Sequence, residues 1–232
     1  MIKLRNISKK YSKSRVLEDI SFDIPKNSIT GIIGPNGAGK STLIRILAGF
    51  EFPDDGNVRI FDEKVSNFSQ RKKYIAYMPE TMSIYPEYFV DEFLEFFHSA
   101  VKYKDDDLLT AFSLWKVGKK KIGHLSKGWH QRLKLYLTLC NSKPIVILDE
   151  PFDGFDPLQL KEIAGIFENQ RSEGRSFILS IHQLADAQKI CDHFILLDEG
   201  RSIAEGTLDG LGNRFLQSPG SLEDIFIEAL GT

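Results

Sequence analysis

Cysteine is scarce in this chain of 232 residues: only Cys140 and Cys191 occur, each inside an apolar pattern. That argues against a disulfide framework or a cysteine-built metal cluster. It favours two small core residues in a reducing compartment. Long apolar runs are missing too, since none approaches the roughly 18 residues needed to cross a bilayer. The opening Met1-Ile2-Lys3-Leu4-Arg5 interleaves charges where a secretory leader needs an unbroken apolar stretch, so a soluble chain is expected. Nor does charge of one sign dominate. Thirty Lys and Arg against 32 Asp and Glu leave a net charge of −2, with no basic footprint for nucleic acid. Nucleic acid is therefore not expected as a partner, although balanced charge weighs only lightly against a DNA-bound role. Internal repeats and low-complexity linkers are absent. A hydrophobic content of 42% and a charged content of 27% are those of one folded unit with a full core.

What is present begins with Gly34-Pro35-Asn36-Gly37-Ala38-Gly39-Lys40-Ser41-Thr42, which joins a strand-like run at residues 28–33 to a helical pattern through Leu43, Ile44, Leu47 and Ala48. Glycines let successive backbone N–H groups curl inward, and the following helix adds unpaired donors and its positive dipole end. The whole segment, Gly34 to Thr42, then forms an anion nest. Lys40 reaches the β- and γ-phosphates of a nucleotide, and the Ser41 hydroxyl holds Mg²⁺. An ordinary glycine turn before a helix is the competing reading, and the strand–loop–lysine–helix order weighs against it.

Along the chain, residues 2–7, 16–24, 28–33 and 56–61 read as strands separated by Lys/Ser, Pro and Asp breakers. From about Tyr85 to Cys140 the pattern turns helical. Val90, Phe93, Leu94, Phe97 and Val101 recur at helix spacing, and Asp105-Asp106-Asp107 supplies a cap and first-turn charge for a helix at 108–115, metal binding being the alternative. A further helix is expected at 129–140. After Pro144, apolar strands at 145–148, 176–181 and 194–197 alternate with helices at 158–171 and 184–190. Strands apolar throughout belong to a parallel sheet covered on both faces. The expected fold is α/β: a parallel phosphate-loop NTPase core, an N-terminal antiparallel β subdomain and an inserted α-helical subdomain. Residues 1–232 form one domain, with 1–80 and 141–232 as the nucleotide-binding core and about 81–140 as the helical subdomain.

A second chemical centre ends the strand Ile145-Val146-Ile147-Leu148-Asp149-Glu150, at the carboxyl edge where such sheets bind ligands. Asp149 suits Mg²⁺ directly or through water. Glu150, turned elsewhere, is placed to polarise the water that attacks a γ-phosphate. Helix capping is the alternative for either acid. A third segment, Leu125-Ser126-Lys127-Gly128-Trp129-His130-Gln131-Arg132, puts a hydroxyl and a glycine at a helix mouth. It marks either another anion site or an ordinary helix start. His98, His124, His130 and His193 share no ligand spacing and read as surface or packing residues.

With these three segments in this order, the chain resembles the ATPase subunits of ATP-binding cassette (ABC) transporters over nearly its whole length. The resemblance implies ATP and Mg²⁺ as cofactors and a pair of cassettes, expected to be a homodimer, clamping two ATP molecules. In that pair Ser126 and Gly128 of one copy contact the γ-phosphate held by Lys40 of the other. It also implies that Tyr11 stacks on adenine, packing against the N-terminal strands being the alternative. Gly154-Phe155-Asp156 crosses the dimer seam, with Asp156 beside the nucleotide, and His182 is a switch histidine. Glu80 stands where relatives carry Gln, in a loop that senses Mg²⁺ and the membrane partner. Its carboxylate is still a magnesium ligand, but it adds negative charge beside Asp149, Glu150 and the triphosphate, a crowding expected to raise a pKa in that neighbourhood. Lys127 and Trp129 replace the commoner Gly and Gln. Such changes, with the ending Ser221-Leu222-Glu223-Asp224-Ile225-Phe226, resemble the exporter-like, drug-and-antibiotic branch in which the ATPase is a separate chain.

The implied function is an ATP-hydrolysing subunit that drives separate transmembrane permease subunits in export. It would be cytoplasmic and peripheral on the inner face of the cell membrane. Ile84-Tyr85-Pro86-Glu87-Tyr88-Phe89 is expected either to dock a short permease helix or to pack internally. The alternative functions are a soluble cassette ATPase that remodels a protein or nucleic-acid complex, and a small-molecule kinase.

Overall fold

The computed structural model describes residues 2–12, 14–65, 67–218 and 220–231, so Met1 and Thr232, the ends of the expected domain, lie outside the described residues. The chain opens with β1 (Ile2–Tyr11), β2 (Ser14–Ile24), β3 (Ile29–Ile33), α1 (Lys40–Ala48), β4 (Asp55–Ile60), β5 (Glu63–Lys64), α2 (Phe68–Arg71) and β6 (Ile75–Met78). Next come α3 (Val90–Val101), α4 (Asp106–Ala111), two 3-10 turns at Leu114–Val117 and Ile122–His124, and α5 (Lys127–Leu139). The remainder is β7 (Ile145–Asp149), α6 (Pro157–Ser172), β8 (Ser176–Ile181), α7 (Leu184–Ile190), β9 (His193–Asp198), β10 (Arg201–Gly206), α8 (Leu208–Phe215) and α9 (Leu222–Leu230).

Two sheets result, one antiparallel in the order β2-β1-β4-β5 and one of six strands in the order β10-β9-β3-β8-β7-β6. Every pairing in the larger sheet is parallel except that of β10 with β9. Its central strands are apolar on both faces because each face has its own core. Val146, Leu148, Phe177 and Leu179 pack into a cluster with α5 and α6. Ile145, Ile147 and Ile178 pack into a second cluster with α1 and the antiparallel sheet.

The helical stretch owes its shape to local capping. The Asp105 side chain accepts from Leu108 N at 2.8 Å, and Asp106 and Asp107 fill the first turn of α4, so the aspartate run serves helix initiation. The helix expected at 108–115 instead begins at Asp106 and stops at Ala111. Ser113 adopts a left-handed φ of 55°, and the chain restarts as the 3-10 turn Leu114–Val117. Strands β6 and β10 and helices α2, α8 and α9 were not expected from periodicity. β6 is only four residues long, too short for a period to register.

Candidate nucleotide site

Strands β3, β8, β7 and β6 are consecutive and parallel, so their carboxyl ends share one edge of the sheet. That edge receives the glycine loop from β3, His182 from β8, Asp149 and Glu150 from β7, and Glu80 from β6. The loop needs its glycines. Gly37 and Gly39 hold φ of 87° and 97°, which side-chain-bearing residues rarely adopt. A Cβ on Gly34 would meet the Leu197 carbonyl oxygen at 2.2 Å. Gly39 caps α1 without a side chain, so no side chain competes for the opening N–H groups of the helix. Lys40 is buried and its Nζ donates to the Gly34 and Pro35 carbonyls at 2.8 and 3.0 Å. Burial lowers the pKa of this ammonium, while the charges of Glu150 and Asp149 oppose the shift.

A cavity of about 260 Å³ lies along the loop, and its walls include Asn36, Lys40, Ser41, Thr42, Glu80 and Glu150. A larger hollow of about 440 Å³ runs beside α8, lined by Leu208, Asn213 and Gln217, and holds none of these groups. The loop cavity is the one with phosphate chemistry around it.

Beneath the cavity, Asp149 and Glu150 are oriented by one hydroxyl. Ser180 Oγ donates to Asp149 Oδ1 at 2.5 Å and accepts from Glu150 N at 2.9 Å. Glu150 sits at a φ of 49°, in the left-handed region that residues with side chains seldom adopt. His182 Nδ1 lies 2.7 Å from Glu150 Oε2. From α5, Gln131 Nε2 donates to the Glu150 and Pro151 carbonyls at 3.2 and 2.9 Å. Ser180 and Gln131 were not foreseen as site residues. For Ser180 the signal was a polar residue inside a buried, mostly apolar strand, whereas Gln131 sits among other polar residues of α5 and carried none.

Among the described residues no three His, Cys, Asp or Glu side chains converge to hold a metal by themselves. The donors that are present still suit Mg²⁺: the Ser41 hydroxyl and Glu80 border the loop cavity, and Asp149 closes β7. This ion is commonly held by one or two carboxylates together with substrate phosphates. Burial and these acids together act on a neighbouring phenol. The Tyr77 phenol is pushed up to about 12, by burial first and then by Asp149, with Glu80 adding to it.

The remaining expected residues lie further out. Tyr11 ends β1, 41% exposed, and its hydroxyl donates to the Glu51 carboxylate. Ser126 is the N-cap of α5, accepting from Trp129 N at 3.5 Å, and Gly128 passes close to the Gly154 carbonyl. Neither Ser126 nor Gly128 lines the loop cavity of its own chain. Lys127 forms a 2.5 Å ion pair with Asp153, and the Trp129 ring lies against the Arg132 guanidinium, 5.5 Å from its centroid. Asp156 caps α6, its Oδ1 accepting from Leu158 N and Gln159 N at 2.9 and 2.8 Å. Of the other histidines, His98 Nε2 lies 2.7 Å from the Tyr136 hydroxyl, a packing contact between α3 and α5.

Comparison with known proteins gives a consistent family. Residues 17–153 match the ABC transporter family model. The ABC-type transporter ATP-binding protein EcsA of Bacillus subtilis is 31% identical, over 98% of this chain and 96% of its own. The lantibiotic transport ATP-binding protein SrtF of Streptococcus pyogenes is 31% identical, over 92% of this chain and 93% of its own. A solved ATP-binding subunit of an ABC transporter superposes with a TM-score of 0.86 at 30% identity, covering 99% of each chain. With a phosphate loop, an acidic pair and a histidine gathered on one sheet edge, a family model matched over more than half of the chain and relatives matched over nearly all of it, this protein belongs to the ABC transporter family, as an ATP-binding, ATP-hydrolysing subunit.

Proposed function

We propose that the chain works as one half of a dimeric motor that binds two MgATP and drives permease subunits at the inner face of the cell membrane, in export. The observation that carries this reading is the shared carboxyl edge of β3, β8, β7 and β6, where Lys40, Glu80 and Glu150 line one cavity and His182 lies 2.7 Å from Glu150. Lys40 leaves the Gly34 and Pro35 carbonyls for the β- and γ-phosphates, which the N–H groups of residues 34–42 also hold. Ser41 and Asp149, with Glu80 nearby, would hold Mg²⁺, which would supply positive charge against the triphosphate. Glu150 takes the proton of the water that attacks the γ-phosphorus as the bond to ADP breaks. His182, already beside Glu150, orients that carboxylate.

Ser126 and Gly128 are not on the loop cavity of their own chain, which supports their serving the site of a second copy, with Asp156 at the seam. On this reading the chain is one domain, with residues 81–140 as the helical part that carries Ser126. Export is supported by the transport names of relatives such as SrtF. Tyr85 and Tyr88 are exposed, with ring centroids 5.9 Å apart, and suit a short permease helix. No helix among the described residues is long and apolar enough to cross a membrane.

The test is Glu150→Gln. Turnover should fall by roughly 10² to 10⁴ while MgATP still binds and draws the protein into a dimer, read by light scattering. Unchanged turnover removes Glu150 as the base. A variant that stays monomeric at saturating MgATP removes the composite site.

A further inference from the structure

Glu51, on the turn after α1, is tied to more of its surroundings than a surface carboxylate needs to be. Its Oε1 accepts from the Tyr11 hydroxyl and lies 3.7 Å from Lys9 Nζ, and its Oε2 accepts from Arg45 Nε at 3.3 Å. The backbone fixes the same residue, since Glu51 N donates to the Arg45 carbonyl at 3.2 Å. Arg45 continues the chain of contacts inward, its Nη2 donating to Thr42 Oγ1 at 3.4 Å, and Thr42 lines the loop cavity. Lys9 is itself pinned, donating to the Phe52 carbonyl at 2.8 Å and to Asp54 Oδ1 at 3.3 Å. Its ammonium sits over one face of the Tyr11 ring, 5.5 Å from the centroid.

These contacts run from the phosphate helix to the aromatic ring at the end of β1. We propose that Glu51 is a positioning residue for the nucleotide base: it locks the Tyr11 ring to α1, so that the face not covered by Lys9 is held ready for adenine. This rests on the reading of Tyr11 as the base platform. The carboxylate is tolerated near a triphosphate because Lys9 and Arg45 neutralise it. Its effect is preorganisation. An unlocked ring must be immobilised when the base arrives, and holding it beforehand is worth about two- to tenfold in affinity.

The experiment compares a ligand that has a base with one that does not. MgATP and magnesium tripolyphosphate are titrated calorimetrically into the full chain and into Glu51→Ala, Glu51→Gln, Tyr11→Ala and the Glu51→Ala/Tyr11→Ala double variant. Glu51→Ala should weaken ATP about fivefold, raise KM with kcat within twofold, and leave tripolyphosphate within twofold. Glu51→Gln, which keeps an acceptor for the Tyr11 hydroxyl, should stay within twofold of the parent for both ligands. The double variant should bind ATP no more weakly than Tyr11→Ala alone. Equal weakening of both ligands by Glu51→Ala, or losses that multiply in the double variant, overturns the assignment. If Tyr11→Ala weakens ATP and Glu51→Ala does not, the Glu51 role alone fails. If Tyr11→Ala leaves ATP unchanged, the platform reading fails first.

Discussion

Replacing Ser180 with Ala should damage both stability and turnover, through one hydroxyl. Ser180 is fully buried, and its Oγ serves Asp149 as donor and the Glu150 amide as acceptor. Losing a hydrogen bond to a charged group costs about 1.5 to 3 kcal/mol, and a buried amide left without an acceptor about 1 to 3. After partial relaxation the expected loss is about 2 to 4 kcal/mol. With an m-value near 3 kcal/mol/M, that lowers the urea midpoint by about 1 M. The bond to its amide also helps hold Glu150 at a φ of 49°, a conformation that costs about 1 to 3 kcal/mol for a residue with a side chain. Freed of it, the carboxylate drifts. Displacement of a reacting group by about 1 Å is worth around 10²-fold, so kcat should fall by about 10- to 100-fold with the KM for ATP within about threefold. Urea unfolding, steady-state ATP hydrolysis and amide exchange at Glu150 read the three effects. A variant with parental stability and parental kcat would refute the argument that this hydroxyl sets the acidic pair.

Gly34→Ala should abolish ATP binding in a calorimetric titration and cost about 3 kcal/mol or more, because its Cβ would sit 2.2 Å from the Leu197 carbonyl oxygen, a backbone atom with little room to yield. Cys140 and Cys191 are free and buried, and burial raises both thiol pKa values, so the native protein should show almost no reaction with a thiol reagent at pH 8 and two reactive thiols per chain once unfolded. Burial lowers the pKa of His98, His130 and His193. Their charged forms are disfavoured in the fold, so the stability they contribute is present above the unfolded value of about 6.5 and is lost as pH falls through the lower folded values. Denaturant midpoints should therefore decline below about pH 6.5, and His193→Gln should make that decline shallower.

Much of the site was legible because its chemistry is local in the chain. The loop from Gly34 to Thr42 carries its own glycine conformations, lysine and helix start. β8 and α7 occur at the expected residues 176–181 and 184–190, because a strand covered on both faces is mostly apolar, as β8 is apart from Ser176 and Ser180, and a helix alternates. The short strand β6 was not legible, since Ile75–Met78 is too brief for a period to appear, and with it went the reason Glu80 reaches the cavity.

Sequence alone therefore determined the α/β class, the phosphate loop, the Asp149–Glu150 pair and, through the order of motifs, the family. Tertiary structure alone decided what those groups touch. The parallel register of β7 and β8 sets Asp149 opposite Ser180, and the turn after α1 carries Glu51 to Tyr11, 40 positions back along the chain. Such pairings depend on strand order and register, which many residues fix together, and no single segment encodes them.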